Sequence, residues 1–304
     1  MQHLKLNFED ISKSNILYYD KKVEEACFDI CETLKIDNMP DYDSQHYFEL
    51  VDKAFYKKEI TPDVRLSNQD QIFDETLLEK FTNNKHNVLF VFRGEVLSGI
   101  AHFSDYNQTK VLQAIQDDIL TFERKMRQYL FLEGYKNKDM MDYFKYRAEK
   151  NSSSQKFYWG KIEKLERSSS QMEQLGEFQF FDLKDLLEFG NSSFSNKIFS
   201  SKSIEYDSKN NKKEHQINLV CNLRNMAMHG KNPVEKNQET SVYSIESLRY
   251  LFTALKTLVS LTHRVDKLVN KHSDYKKSVM MDNQNKLEII HQHHPKALNY
   301  FIDN

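Results

Sequence analysis

The chain has 304 residues, 39% hydrophobic and 29% charged, which suits a folded globular protein and excludes an intrinsically disordered one. The formal charge of -2 excludes an overall basic field, so any nucleic-acid contact must come from a local patch. With only 7 Gly and 4 Pro, long helices are favoured over a turn-rich β architecture.

The first residues, MQHLKLNFED, lack the apolar centre of a signal peptide, and no run approaches the roughly 20 apolar residues that span a bilayer. A cytoplasmic protein without a membrane partner is expected. Apolar residues at 23, 26, 27, 30, 31 and 34 predict a helix over Val23 to Leu34, ended by Met39-Pro40. Cys27 and Cys31, one turn apart, read as buried apolar positions, and with Cys221 they make no metal-like set. Tyr47 to Val51 is a short strand. Ser67 is a candidate N-cap for a helix over 68–82 that Asn83-Asn84 ends. Asn87 to Phe92 has the composition of a strand buried on both faces. Arg93-Gly94-Glu95 then forms a hairpin turn and Val96 to His102 the returning strand.

This order, and the ending Gly99-Ile100-Ala101-His102-Phe103-Ser104-Asp105, resembles a CBS repeat over residues 66–107. The family's ending runs Gly-apolar-apolar-Thr-x-x-Asp. Here Asp105 matches, His102 stands where the hydroxyl belongs, and Ser104 is close by. Residues 15–60 resemble a first, degenerate repeat. The resemblance implies a regulatory adenine nucleotide, with Ser104, Asp105 and His102 as its candidate binding residues. The same residue types also serve as helix N-caps, and that reading stands beside it.

From 109 the pattern is helical. Leu112, Ile115, Ile119, Phe122, Met126 and Tyr129 make one apolar stripe, stopped at Gly134. Further helices are predicted over 138–150 and 155–167. An insert at about 168–210 mixes serine-rich loops with a packed apolar segment from Phe178 to Phe189. A helix over 212–229 shows one face of Ile217, Val220, Cys221, Arg224 and Met228; Gly230 caps it and Pro233 prevents continuation. The last helix carries Leu248, Leu251, Leu255, Leu258, Thr262, Val265 and Val269 in a 3-4 repeat, with Ser241 or Ser244 at its start. Trp159, between Tyr158 and Gly160, reads as core or interface. His291-Gln292-His293-His294 lacks companion ligands and reads as a solvated tail, so no metal site is expected.

The run Arg224-Asn225-Met226-Ala227-Met228-His229 closes the helix before the last one. Arg followed by a polar residue, with His after four intervening residues, resembles the motif of HEPN domains. The resemblance covers roughly 110–272 and implies an antiparallel helical bundle whose paired motifs, one from each of two subunits, cut RNA. It implies Arg224, Asn225 and His229 as catalytic residues, with Glu123 facing them from the long helix and Arg127 and Lys231 contacting RNA. Lys212, Lys213 and Lys236 add local positive charge. It further implies a homodimer, a phage-defence or toxin setting, and an antitoxin or defence-system partner.

The chemistry stands without the family. A positioned imidazole transfers protons, and a guanidinium fork binds phosphate oxygens while keeping its charge. Attack by the neighbouring 2′-oxygen restricts the substrate to RNA, leaves 2′,3′-cyclic phosphate and 5′-hydroxyl ends, and requires no cofactor. Residues five apart on a helix differ by about 140° in direction, so one motif makes half a site. The expected architecture is α+β: a CBS-like α/β module over 1–108, an all-α HEPN-type bundle over 109–275 with its insert, and a helical tail over 276–304. The alternative is a non-catalytic nucleotide-sensing or dimerisation scaffold.

Overall fold

The computed structural model describes residues 1–83, 88–150, 154–168, 176–193, 195, 203–207, 212–236 and 243–293, with backbone alone for 83, 203–207, 212–214 and 273–293. Small N-terminal sheets precede a largely helical C-terminal region of about six helices, an α+β architecture.

After the short helix α1 (Phe8–Ile11), α2 covers Glu24–Leu34. Cys27 and Cys31 are buried on it, packed with Tyr19 and Met39. The helix ends at Lys35, which adopts a left-handed C-cap with φ 52°. Met39-Pro40 therefore does not end it. Those residues lie in β1 (Asn38–Pro40), at the edge of an antiparallel sheet with β2 (His46–Val51) and β3 (Ala54–Glu59). An edge position tolerates a proline because only one side of the strand must be paired.

The second sheet has the order β4 (Arg65–Ser67), β5 (Val88–Arg93), β6 (Val96–His102). β4 runs parallel to β5, with α3 (Thr76–Asn83) between them in sequence, and β5 turns through Gly94 (φ 64°) into antiparallel β6. Leu89, Phe90, Val91 and Phe92 are all buried, as a central strand requires. Ser67 is not the cap of α3 but the last residue of β4. Asp74 starts the helix instead, its Oδ1 accepting both the N–H and the hydroxyl of Thr76. Residue 84, the other half of the expected break, lies outside the described residues.

The helical region comprises α4 (Thr109–Leu132), α5 (Asn137–Lys150), α6 (Gln155–Arg167), α7 (Leu183–Gly190), α8 (Gln216–Met228) and α9 (Ile245–His293). The stripe on α4 is buried at Ile115, Ile119, Phe122, Met126 and Tyr129. In the insert, Asp182 caps α7 by accepting the Asp185 N–H, and Phe178, Phe181, Leu186 and Phe189 are buried. Trp159 is 39% exposed and Phe157 55%, so neither is core. Residues 212–215 are not helical. They form β8 (Lys212–His215), paired with β7 (Ser203–Asp207), because His215 keeps an extended backbone and caps α8 by accepting the Ile217 N–H. α9 runs on through residue 276 without interruption, so the expected tail is no separate element as far as 293. His294 and the residues beyond it lie outside the described set, as does Ser241.

The chain forms two compact units, Met1–Leu120 with Lys202–Leu258, and Thr121–Ser201 with Val259–Asn304. This division differs from the expected one at 108 and 275. The helix α8 and the start of α9 belong with the N-terminal sheets. Arg249 donates to Thr82 and Lys256 pairs with Glu75 within this first unit. Sequence periodicity reports which face a helix buries, not which partner covers it. No helix of the described residues is long and apolar enough to cross a membrane.

Candidate functional site

The Arg224–His229 run occupies the last turn of α8. Ile217, Leu219, Val220, Leu223 and Ala227 are its buried residues. That seam is rotated from the expected face, and Arg224 and Met228 lie at its margin, partly exposed. His229 is the exposed C-cap. Gly230, at φ 60°, donates to Ala227 O, and Lys231 N donates to Met226 O at 3.0 Å. These two bonds form a Schellman cap, which fixes the helix end and the direction of the chain leaving His229. Lys231 is exposed beside it.

Two further contacts hold this end in place. Gln116 Nε2 lies 3.4 Å from Met228 Sδ. Asn107 Nδ2 donates to Val234 O at 2.9 Å, and Val234 N donates back to Asn107 Oδ1 at 2.8 Å. The motif is thus carried on a fixed helix terminus. Arg224 Nη1 makes a long 3.3 Å contact to Asn225 Oδ1. Its Nε is buried, with no hydrogen-bond partner among the described residues. A buried cationic donor left unpaired is costly, and in a native fold it calls for an explanation.

Glu123 and Arg127 belong to the second unit, whereas Arg224 to Lys231 belong to the first. They form an ion pair with side chains 12% and 19% exposed. Arg127 Nε donates to Phe178 O at 3.0 Å and Nη2 to Phe181 O at 3.1 Å. The pair therefore anchors the turn leading into α7. All three of these contacts are structural, and they leave the Glu123 carboxylate engaged.

His102, Ser104 and Asp105 come together as the cap of the 3-10 turn Phe103–Asn107. His102 Nδ1 accepts the Ser104 N–H at 3.1 Å, and Asp105 Oδ2 accepts the His102 N–H at 2.7 Å. Asp105 is 2% exposed, and burial raises its carboxyl above the usual carboxylate range. Burial lowers the His102 imidazole to about 4, and Lys13 and Lys236 push it in the same direction. Neutral His102 is the form able to accept at Nδ1. The capping reading of these residues accounts for their geometry without a ligand.

Asp41, Asp43 and His46 offer ligand atoms within 4.8 Å of one another, a cluster the sequence reading passed over. Its spacing was visible as Asp-x-Asp-x-x-His. Lys57 already pairs with Asp41 at 2.7 Å and with Asp43 at 3.3 Å, and His46 Nδ1 binds Asp43 at 2.6 Å. The donor atoms are thus already engaged with one another and with a lysine. Side chains of Lys212 and Lys213 lie outside the described residues.

No family model matches this chain, and no similar curated protein or solved structure was found.

Proposed function

We propose that this chain is a metal-independent endoribonuclease of HEPN type, active as a homodimer. The observation that carries the reading is Arg224: a guanidinium with a buried, unpaired Nε on the same capped helix end as the exposed His229. A phosphate oxygen, reaching Arg224 once the side chains over Nε shift, would give that donor the partner it lacks among the described residues. His229 of one copy would take the 2′-hydroxyl proton as the 2′-oxygen attacks phosphorus. His229 of the second copy would protonate the departing 5′-oxygen. The two Arg224 side chains would neutralise the phosphorane oxygens. Asn225, one turn before His229, would position substrate, and Lys231 would contact the backbone.

The parallel β4–β5 pair with its following hairpin supports the CBS-like reading of residues 66–107. A nucleotide bound through His102, Ser104 and Asp105 would have to displace their capping bonds, so the ribonuclease reading is carried without it. Phage defence or a toxin system, with its partner protein, remains the setting implied by resemblance. A non-catalytic scaffold is the second reading, favoured by the structural engagement of Glu123 and Arg127.

The test is incubation of the purified chain with single-stranded RNA in EDTA, followed by end-group analysis. Cyclic phosphate and 5′-hydroxyl ends are expected, with a loss of about 10²–10⁴-fold in His229→Ala. RNA left intact at every chain concentration would rule out the enzyme and leave the scaffold.

A further inference from the structure

The first unit places two lysines and an aromatic ring around His102, on residues far apart in sequence. Lys13 pairs with Ile100 through both backbone bonds, Lys13 N to Ile100 O at 2.9 Å and Ile100 N to Lys13 O at 3.1 Å. Directly paired residues share a face of the ladder, and so do residues two apart on one strand. Lys13 and His102 therefore lie on the same face of β6. The Tyr243 ring packs edge-on to His102, with centroids 5.4 Å apart. Lys236 Nζ lies 5.0 Å from the Tyr243 ring centre, and an isolated antiparallel bridge joins residues 236 and 243.

Lys13 and Lys236 are exposed, and neither forms an ion pair among the described residues. Asp105 is buried, its Oδ2 accepts the His102 N–H, and its charge is near enough to interact with Lys13. Unpaired cations next to an aromatic face are the ingredients of a groove that follows a single strand: charge for phosphates, a ring for a base. Lys236 also lies seven residues beyond His229, on the segment that Asn107 ties down through Val234.

We propose that Lys13, Lys236 and Tyr243, arranged around His102, form a substrate-binding track that holds single-stranded RNA beyond the Arg224–His229 end of α8. The inference rests on the ribonuclease reading and gives that enzyme an extended footprint on its substrate. The lysines bind backbone phosphates, and Tyr243 stacks a base.

The full-length His229→Ala chain, in which cleavage is expected to be lost, is titrated with a fluorescent single-stranded RNA between about 50 and 300 mM salt. In the Lys13→Ala/Lys236→Ala background the salt slope is expected to fall by about 1.4, at ~0.7 for each lost phosphate contact. Tyr243→Ala is expected to weaken binding about tenfold. Melting temperatures of the variants are measured in parallel, and an unchanged melt assigns the effect to binding. An unchanged slope and affinity, in a chain that does bind RNA, overturns the track and leaves the ribonuclease reading standing. Absence of RNA binding in every form, with no cleavage by the wild type, overturns both. Loss of ATP binding in the double variant with the RNA slope unchanged makes the patch a mononucleotide site and also overturns the track.

Discussion

Asn107 and Val234 exchange two hydrogen bonds across 127 residues of chain, 2.9 Å in one direction and 2.8 Å in the other. The Asn107 amide acts as a one-residue strand, satisfying both backbone groups of a fully buried residue. Through it the segment leaving His229 is tied to the segment that follows β6. This link brings Lys236 and Tyr243 within reach of His102. Replacement of Asn107 by alanine leaves two buried polar groups unpaired. The expected cost is about 1–3 kcal/mol in urea unfolding. A loss below about 0.3 kcal/mol would show that the link does not hold the segment.

Arg224 offers a separation of stability from function. Its buried, unpaired Nε costs the free chain energy, so Arg224→Met is expected to leave stability unchanged or raise it by about 1 kcal/mol. Cleavage should fall by at least about 100-fold, as for loss of a donor to the phosphorane. A variant destabilised by more than about 2 kcal/mol would mean that Arg224 is a packing residue. Thermal melting and initial cleavage rates decide between them.

Glu123 and Arg127 predict the opposite pattern. Removing one partner of a mostly buried ion pair exposes the other to an unpaired state, so Arg127→Ala should cost about 3 kcal/mol. The double replacement Glu123→Gln/Arg127→Met should recover part of that loss. Glu123→Gln assayed well below its melting temperature should retain most of its cleavage rate. A rate reduced by 100-fold or more in a folded Glu123→Gln chain would return this residue to the catalytic set.

The imidazole of His102 gives a pH dependence with a defined sign. Burial lowers its folded-state value to about 4 from an ordinary 6.5. Between those values the unfolded chain binds the proton and the folded chain does not. The stabilisation is therefore fully present above about pH 6.5 and is lost as pH falls toward 4, by an amount on the order of 3 kcal/mol. The quantity to measure is the difference in unfolding free energy between wild type and His102→Asn across that window. It should shrink as the solution is acidified, and a constant difference would contradict the assignment.

Gly230 holds the left-handed residue of the cap on α8, at φ 60°. Alanine there should cost about 1 kcal/mol through backbone strain alone, since nothing lies within 4 Å of the added methyl. Because the cap sets where His229 points, the cleavage rate should fall by more than the stability loss explains at assay temperature.

Local features were the legible ones. The α6 limits, the buried stripe of α4, the hairpin at Gly94 and the cap at Gly230 all follow from neighbours within a few residues. The misplaced boundaries share one cause. Lys35, Asp74 and His215 set helix ends by cap bonds or a left-handed backbone, which the signals at Met39-Pro40 and Ser67, and the helix predicted from 212, concealed. The candidate site was legible as a motif, because Arg224, Asn225 and His229 lie on one helix end. The roles of the other candidates were not, because the same carboxylate or imidazole serves a ligand, a cap or an ion pair according to what surrounds it.

By itself the sequence determined the α+β character, the strands β2, β5 and β6, most of the long helices, and the arginine–histidine helix end, all of which depend on short-range periodicity and capping. Only the tertiary structure decided that α8 belongs to the same compact unit as the N-terminal sheets, that Arg224 keeps a buried donor unpaired among the described residues, and that Lys13, Tyr243 and Lys236 gather near His102. The reason is physical: these meetings depend on packing between segments far apart in sequence, and no local pattern in the chain encodes which buried faces cover one another.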